Sequence, residues 1–150
     1  MATLFTRIID GEIPGRFVWS DEVCVAFATI APISDGHVLV VPRAEVDRFT
    51  VASDELLAHL MSVAKVIGAA QEVAFGAPRA ALIVAGFEVP HLHLHVLPAW
   101  GEAHLSFADA RPDTPAAALD MAMETLRAAL RAAGHGGHVP AALGSPELTA

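Results

Sequence analysis

Between Pro90 and Pro98 polar and apolar side chains alternate through His91-Leu92-His93-Leu94-His95-Val96, the clearest strand pattern in the chain. In extended backbone, successive side chains point to opposite faces, so three imidazoles share one face while Leu92, Leu94 and Val96 share the other. One face is chemical and the other is core. His37 to Val41 is a second β-branched run, preceded by the loop Ala31-Pro32-Ile33-Ser34-Asp35-Gly36 and ended by Pro42. Phe17-Val18-Trp19 and Val23 to Ala28, on either side of Ser20-Asp21-Glu22, read as a hairpin. Ala80 to Ala85 and Val89 to Leu97 read as two further strands joined by the short turn Gly86-Phe87-Glu88.

Elsewhere the apolar period lengthens to that of a helix. Leu56, Leu57, Leu60, Met61, Ala64, Ile67 and Ala70 follow Ser53, a capping residue, and the acids Asp54 and Glu55. This predicts a helix from about Asp54 to Ala74, closed by Gly76-Ala77-Pro78. Thr114 as N-cap, Pro115 in the first turn and the stripe Leu119, Met123, Leu126, Leu130 predict a second helix that stops at Gly134. The pattern is α+β, a mostly antiparallel sheet with a long central helix and a second, C-terminal helix. Residues 1–134 are expected as a single domain, and 135–150, rich in small residues, as a loosely held tail.

Composition narrows the function classes. A chain of 150 residues suffices for one domain with a sizeable core. Its mean hydropathy of +0.50 is high, yet no uninterrupted apolar run approaches the roughly 20 residues that span a bilayer. The start, Met1-Ala2-Thr3-Leu4-Phe5-Thr6-Arg7, lacks the regions of a signal peptide, so a cytoplasmic location with no membrane partner is expected. A net charge of -8 argues against duplex nucleic acid, which requires a basic surface, but not against a small anionic substrate held by local donors. The single cysteine, Cys24, reads as a small core residue.

The histidines carry the candidate chemistry. Neighbours in the alternating set lie roughly 6.5 to 7 Å apart along a strand, so two can touch one phosphate group. Imidazole combines a nucleophilic lone pair, a donor and a proton carrier near neutral pH. Two alternatives use the same residues: a merely exposed strand, or a metal site in which two imidazoles bind one ion with Glu88 as the nearest third ligand. His59 reads as a surface or interface residue, Trp100 as core, and His135 and His138 as solvated.

The run His91-Leu92-His93-Leu94-His95 resembles the His-x-His-x-His motif of the histidine triad (HIT) family. Phe5-Thr6-Arg7-Ile8-Ile9-Asp10-Gly11-Glu12-Ile13-Pro14 is similar to that family's opening segment, and Gly36-His37-Val38-Leu39-Val40-Val41-Pro42-Arg43 to its central strand. The chain is similar to bacterial HIT-like nucleotide hydrolases. The resemblance implies hydrolysis or transfer on a nucleoside phosphoramidate, a phosphoanhydride or a dinucleoside polyphosphate, without a cofactor. His93 would be the nucleophile through a nucleotidyl-histidine intermediate, His95 would contact phosphate and leaving group, and His91 and His37 would support the rings. Phe27, Thr29, Ile30, Glu88 and Val89 take the substrate-binding positions, and a homodimer paired through the central helix and a continuous sheet is expected.

Several positions depart from the family pattern. Thr29 stands where an aspartate usually holds the ribose hydroxyls, and Glu88 falls where many relatives place a small hydroxyl residue near the phosphate. Glu45 replaces a common histidine, and Thr3 and Thr6 stand where some bacterial members have zinc-binding cysteines. No structural zinc is expected there. These departures leave a nucleotide-binding or sensing protein with weak catalysis as the alternative reading.

Overall fold

Five strands pair antiparallel in the order β1-β2-β3-β5-β4 in the computed structural model, which describes residues 1–149. The elements are α1 (Leu4–Ile9), β1 (Phe17–Ser20), β2 (Cys24–Ala28), β3 (Val38–Pro42), α2 (Asp54–Phe75), β4 (Arg79–Ile83), β5 (Leu94–Ala99) and α3 (Ala116–Leu130). Every residue of β1, β2 and β3 is buried. Their runs fail to alternate polar with apolar because both faces of the sheet are covered. On one face Val18, Ala26, Val40, Leu94 and Val96 meet Leu60, Ile67, Met123 and Leu126 of the two long helices. On the other, Phe17, Val25, Phe27, Leu39 and Val41 gather around Phe5 of α1.

Two expected boundaries shift in ways that bear on function. The ladder of β5 begins at Leu94, so His91 and His93 lie in an irregular lead-in rather than within the paired strand. The connection from β4 is correspondingly longer than a tight turn, running from Val84 through His93. Thr114 does not cap α3; Pro115 occupies the N-cap position, and the Thr114 hydroxyl donates back to the Arg111 carbonyl. Met61, expected in the buried stripe of α2, is instead 53% exposed.

The long helix α2 lies directly behind the triad strand. It has the length and hydropathy of a membrane span, but Leu60, Val63 and Ile67 are buried against the sheet as in a core helix. Its N-terminus follows the sequence reading, with the Ser53 hydroxyl accepting from the Leu56 amide, and Gly76 ends it in the left-handed conformation at φ 64°. Gln71 is fully buried and donates to the carbonyls of Gly36 and Val96, tying the helix to the loop before β3 and to β5. Gly36 is required twice, by its φ of 93° and by the Phe75 ring packed against its backbone.

The segment after α3 is better anchored than its composition predicts. Val139 enters the core, the Phe17 amide donates to the Leu143 carbonyl, and the buried Arg127 guanidinium donates to the carbonyls of Phe17 and Pro140. His138 is exposed, as expected, and also stacks on Trp19 with ring centroids 4.6 Å apart. Small residues made this segment read as loose because its attachments are mostly main-chain carbonyls, which carry no side-chain signal. Residue 150 of the expected tail lies outside the described residues.

Candidate active site

His37 just before β3, His91 and His93 in the lead-in to β5, and His95 within β5 bring four imidazoles together on the side of the sheet that carries Phe5 and Phe27. The ring centroids of His93 and His95 are 4.9 Å apart, and those of His95 and His37 are 5.1 Å apart. Leu92, Leu94 and Val96 point into the opposite, helix-covered core, as the alternation requires. The chemical face rests on an aromatic floor: Phe5 meets His93 edge-on at 4.9 Å and Phe27 at 5.5 Å. Phe5 carries a site role that alternation does not reveal, because it comes from the far end of the chain.

The hydrogen bonds fix the tautomers of His37, His93 and His95. A carbonyl only accepts, so His93 Nδ1, 2.7 Å from the His91 carbonyl, carries its proton and leaves a lone pair on Nε2. His37 Nδ1 accepts from the Ile33 amide at 3.1 Å, so its Nε2–H donates to His95 Nδ1 at 2.9 Å. His95 is therefore protonated on Nε2. Adjacent rings thus offer opposite chemistry, a lone pair on His93 and an N–H donor on His95. His91 presents neither, since its Nε2–H donates to the Pro42 carbonyl at 2.7 Å and its Nδ1 faces the Thr3 hydroxyl at 2.6 Å.

Burial keeps the working rings neutral. It lowers His37 to about 3, aided by neighbouring His95, and lowers His95 to about 4, aided by His93. His93 is also lowered, chiefly by burial, although its bond to the His91 carbonyl acts the other way.

The remaining predicted residues form a looser surround. Phe27 is buried against Phe5, Val89 is half-buried against the same cluster, and Ile30 is 73% exposed. The Thr29 hydroxyl accepts from the Ala31 amide at 3.2 Å, a local turn contact. Glu88 is exposed beside Phe87, which is 98% exposed. Trp100, expected in the core, is 58% exposed just past the triad strand, where the chain has left the sheet. Phe107 meets His95 edge-on at 4.8 Å. The segment carrying it is tied back through Arg111, whose amide donates to the Pro32 carbonyl and whose guanidinium pairs with Asp35. The nearest sequence cue to Phe107 is an isolated aromatic in Ser106-Phe107-Ala108-Asp109.

Neither metal arrangement suits its residues. The triad leaves one imidazole lone pair uncommitted, on His93, whereas chelation needs at least two. At the positions matching zinc-binding cysteines, the Thr3 and Thr6 hydroxyls and the Glu45 carboxylate contact one another at 2.7 to 3.2 Å and offer no thiolate. Asp21, Cys24 and His59 also converge. There, burial acts to raise the Asp21 carboxyl, yet hydrogen bonds from Trp19, the Cys24 amide, His59 and the Val23 amide bring it down to about 2. Burial and that carboxylate push the Cys24 thiol far up, so the set is a satisfied hydrogen-bond cluster with a protonated thiol.

A five-stranded antiparallel sheet, a long helix behind it and paired complementary imidazoles define a histidine-triad fold and site. The HIT domain model matches residues 10–101, and the chain belongs to this family. It is 37% identical over 99 residues to an uncharacterised HIT-like protein of Methanocaldococcus jannaschii, covering 63% of this chain and 77% of that protein. A zinc-bound histidine triad family protein from Mycobacterium smegmatis matches with a TM-score of 0.77 and 26% identity, covering 89% and 96% of the two chains. A hypothetical histidine triad nucleotide-binding protein from Sulfolobus tokodaii matches with a TM-score of 0.75 and 28% identity, covering 85% and 91%.

Proposed function

We propose that the protein hydrolyses or transfers a nucleotidyl group from a phosphoramidate, a phosphoanhydride or a dinucleoside polyphosphate through His93. The observation that carries this reading is the pair of opposed tautomers on neighbouring rings. His93 Nε2 attacks phosphorus, and the bond to the leaving atom breaks with its electron pair departing on that atom. His95 Nε2–H donates to the oxygen or nitrogen that receives the charge. The adduct is a nucleotidyl-imidazolium that keeps its Nδ1–H bond to the His91 carbonyl. Water then attacks phosphorus, the N–P bond breaks, its pair returns to Nε2, and the proton released from water balances the leaving group.

Its test is chemical trapping. Protein mixed with an adenosine phosphoramidate or a dinucleoside polyphosphate and quenched should carry one acid-labile nucleotidyl group, mapped by mass spectrometry to His93. An adduct on another residue overturns the assignment. Thr29 and the exposed Glu88 support a second reading, a nucleotide-binding or sensing protein with weak turnover. That reading expects ligand binding by calorimetry with neither adduct nor product.

We propose in addition that two copies pair through the outer edge of β4 and the flank of α2. β4 is an edge strand with Leu82 39% exposed, and Met61 and Val73 are outward-facing apolar residues of α2. Sedimentation equilibrium should give twice the chain mass of 15.7 kDa.

A further inference from the structure

We infer that Thr3, held in place by Thr6 and Glu45, is a positioning residue for His93 that acts through His91. This deepens the reading of His93 as nucleophile and rests on it. His93 takes its tautomer from the His91 carbonyl, and that carbonyl belongs to a segment lying before the ladder of β5 begins. Its backbone is located by other anchors: the Leu92 amide donates to the Val46 carbonyl at 2.6 Å, and the His91 ring is held at both ends. Pro42 holds one end. At the other, His91 Nδ1 is hydrogen-bonded to the Thr3 hydroxyl at 2.6 Å, which can serve either nitrogen state of the ring.

Thr3 is itself fixed from two sides. Its amide donates to Glu45 Oε1 at 2.9 Å, and the Thr6 hydroxyl donates to the same oxygen at 2.7 Å. These bonds hold the Glu45 carboxyl below its ordinary range, so it remains an anionic acceptor. The Thr6 amide donates to Thr3 Oγ1 at 3.1 Å, capping α1, and α1 also supplies Phe5 against the His93 ring. The N-terminal helix therefore reaches the nucleophile by two routes, one polar and one aromatic. Where some bacterial members of the family have zinc-binding cysteines, this chain has a hydrogen-bonded chain of contacts through an imidazole, two hydroxyls and a carboxylate.

The test is Thr3→Val, which keeps the side-chain shape and the amide bond to Glu45 but removes the hydroxyl that His91 Nδ1 meets, with Thr3→Ser as rescue. Long-range 1H–15N spectra of the histidine rings should show His93 as the single Nδ1–H tautomer in wild type and in Thr3→Ser. In Thr3→Val the His93 ring should show a mixture. With substrate, kcat of Thr3→Val should fall on the order of tenfold with KM within about twofold, as expected when a reacting group is displaced but binding is not. If Thr3→Val does not fold, Glu45→Ala, which removes the acceptor holding Thr3, should move the same resonances in the same direction. An unchanged His93 tautomer and kcat in the folded variant would overturn the inference, as would a Thr3→Ser variant as impaired as Thr3→Val. The ring spectra need no turnover, so failure of His93 to form an adduct would count against the proposed function and leave this positioning claim to its own result.

Discussion

The floor of the site and its rim are built on different principles. On the floor, His37, His91, His93 and His95 have a definite partner for every ring nitrogen except His93 Nε2 and His95 Nε2, and His37, His91 and His93 are at least 93% buried. On the rim, Ile30, Phe87, Trp100 and Phe107 expose roughly half or more of their area, and Thr29 and Glu88 make no tertiary side-chain hydrogen bond among the described residues. The floor specifies one chemistry. The rim leaves recognition to contacts that form with the ligand. Changes to the floor should therefore cost orders of magnitude, and changes to the rim less than one.

The largest effect belongs to His93→Ala. Leu92 and Leu94 still hold the core face, so circular dichroism should show wild-type secondary structure while turnover drops by about three orders of magnitude or more. His95→Ala should lose less, because it removes a hydrogen-bond donor rather than the bond-forming atom. Comparable turnover in His93→Ala and wild type would erase the distinction between floor and rim.

A second effect appears on acidification. In the unfolded chain histidine takes up its proton near pH 6.5, whereas folded His37 and His95 do so near 3 and 4. Between these limits the unfolded state binds more protons, so stability rises with pH and is lost as pH falls from about 6.5 toward 4. For the deeply buried His37 the slope approaches about 1.4 kcal/mol per pH unit, readable as a falling urea midpoint. The same depressed values place the acid limb of kcat/KM well below the ordinary imidazole range. A limb centred near 6.5 would mean that the rings are solvated during catalysis.

This contrast also explains which parts of the molecule were legible in the sequence. Alternation around His93 encodes one chemical face and one core face, and helical spacing after Ser53 encodes α2. These are local periodicities enforced by burial. The end of pairing before Leu94, the contact of Phe5 with His93 and the bonds from Gln71 to Gly36 and Val96 depend on segments far apart in the chain. No local pattern reports them. Gln71 comes nearest, as a polar residue four positions after Ile67 on an otherwise apolar face. Main-chain acceptors such as the Pro140 carbonyl are still harder to read, since any residue provides one.

On the rim, Thr29 should discriminate ribose poorly. Its hydroxyl already accepts from Ala31, and a neutral oxygen does not replace a charged acceptor that binds two hydroxyls at once. Ribonucleotide and 2′-deoxyribonucleotide substrates should therefore differ in kcat/KM by less than about tenfold. A hundredfold ribo preference would show that a buried polar group elsewhere in the site recognises the sugar. Thr29→Asp supplies the missing acceptor and should widen the ratio toward the ribo form.

The smallest effect, and the sharpest test of the rim, is Glu88→Gln. A carboxylate ahead of the triad opposes an anionic phosphate, so neutralising it should tighten binding. The side chain is exposed, however, and solvent and salt screen an exposed charge strongly. The gain measured by calorimetry should therefore be less than about threefold, should shrink further at high salt, and should leave kcat unchanged. A tenfold or larger gain would place Glu88 within the closed complex, so that the 84–93 connection folds onto the substrate and the rim becomes part of the floor when ligand binds. Weaker binding in Glu88→Gln would instead show that the carboxylate accepts a hydrogen bond from the ligand, turning an apparent obstacle to phosphate into a recognition group.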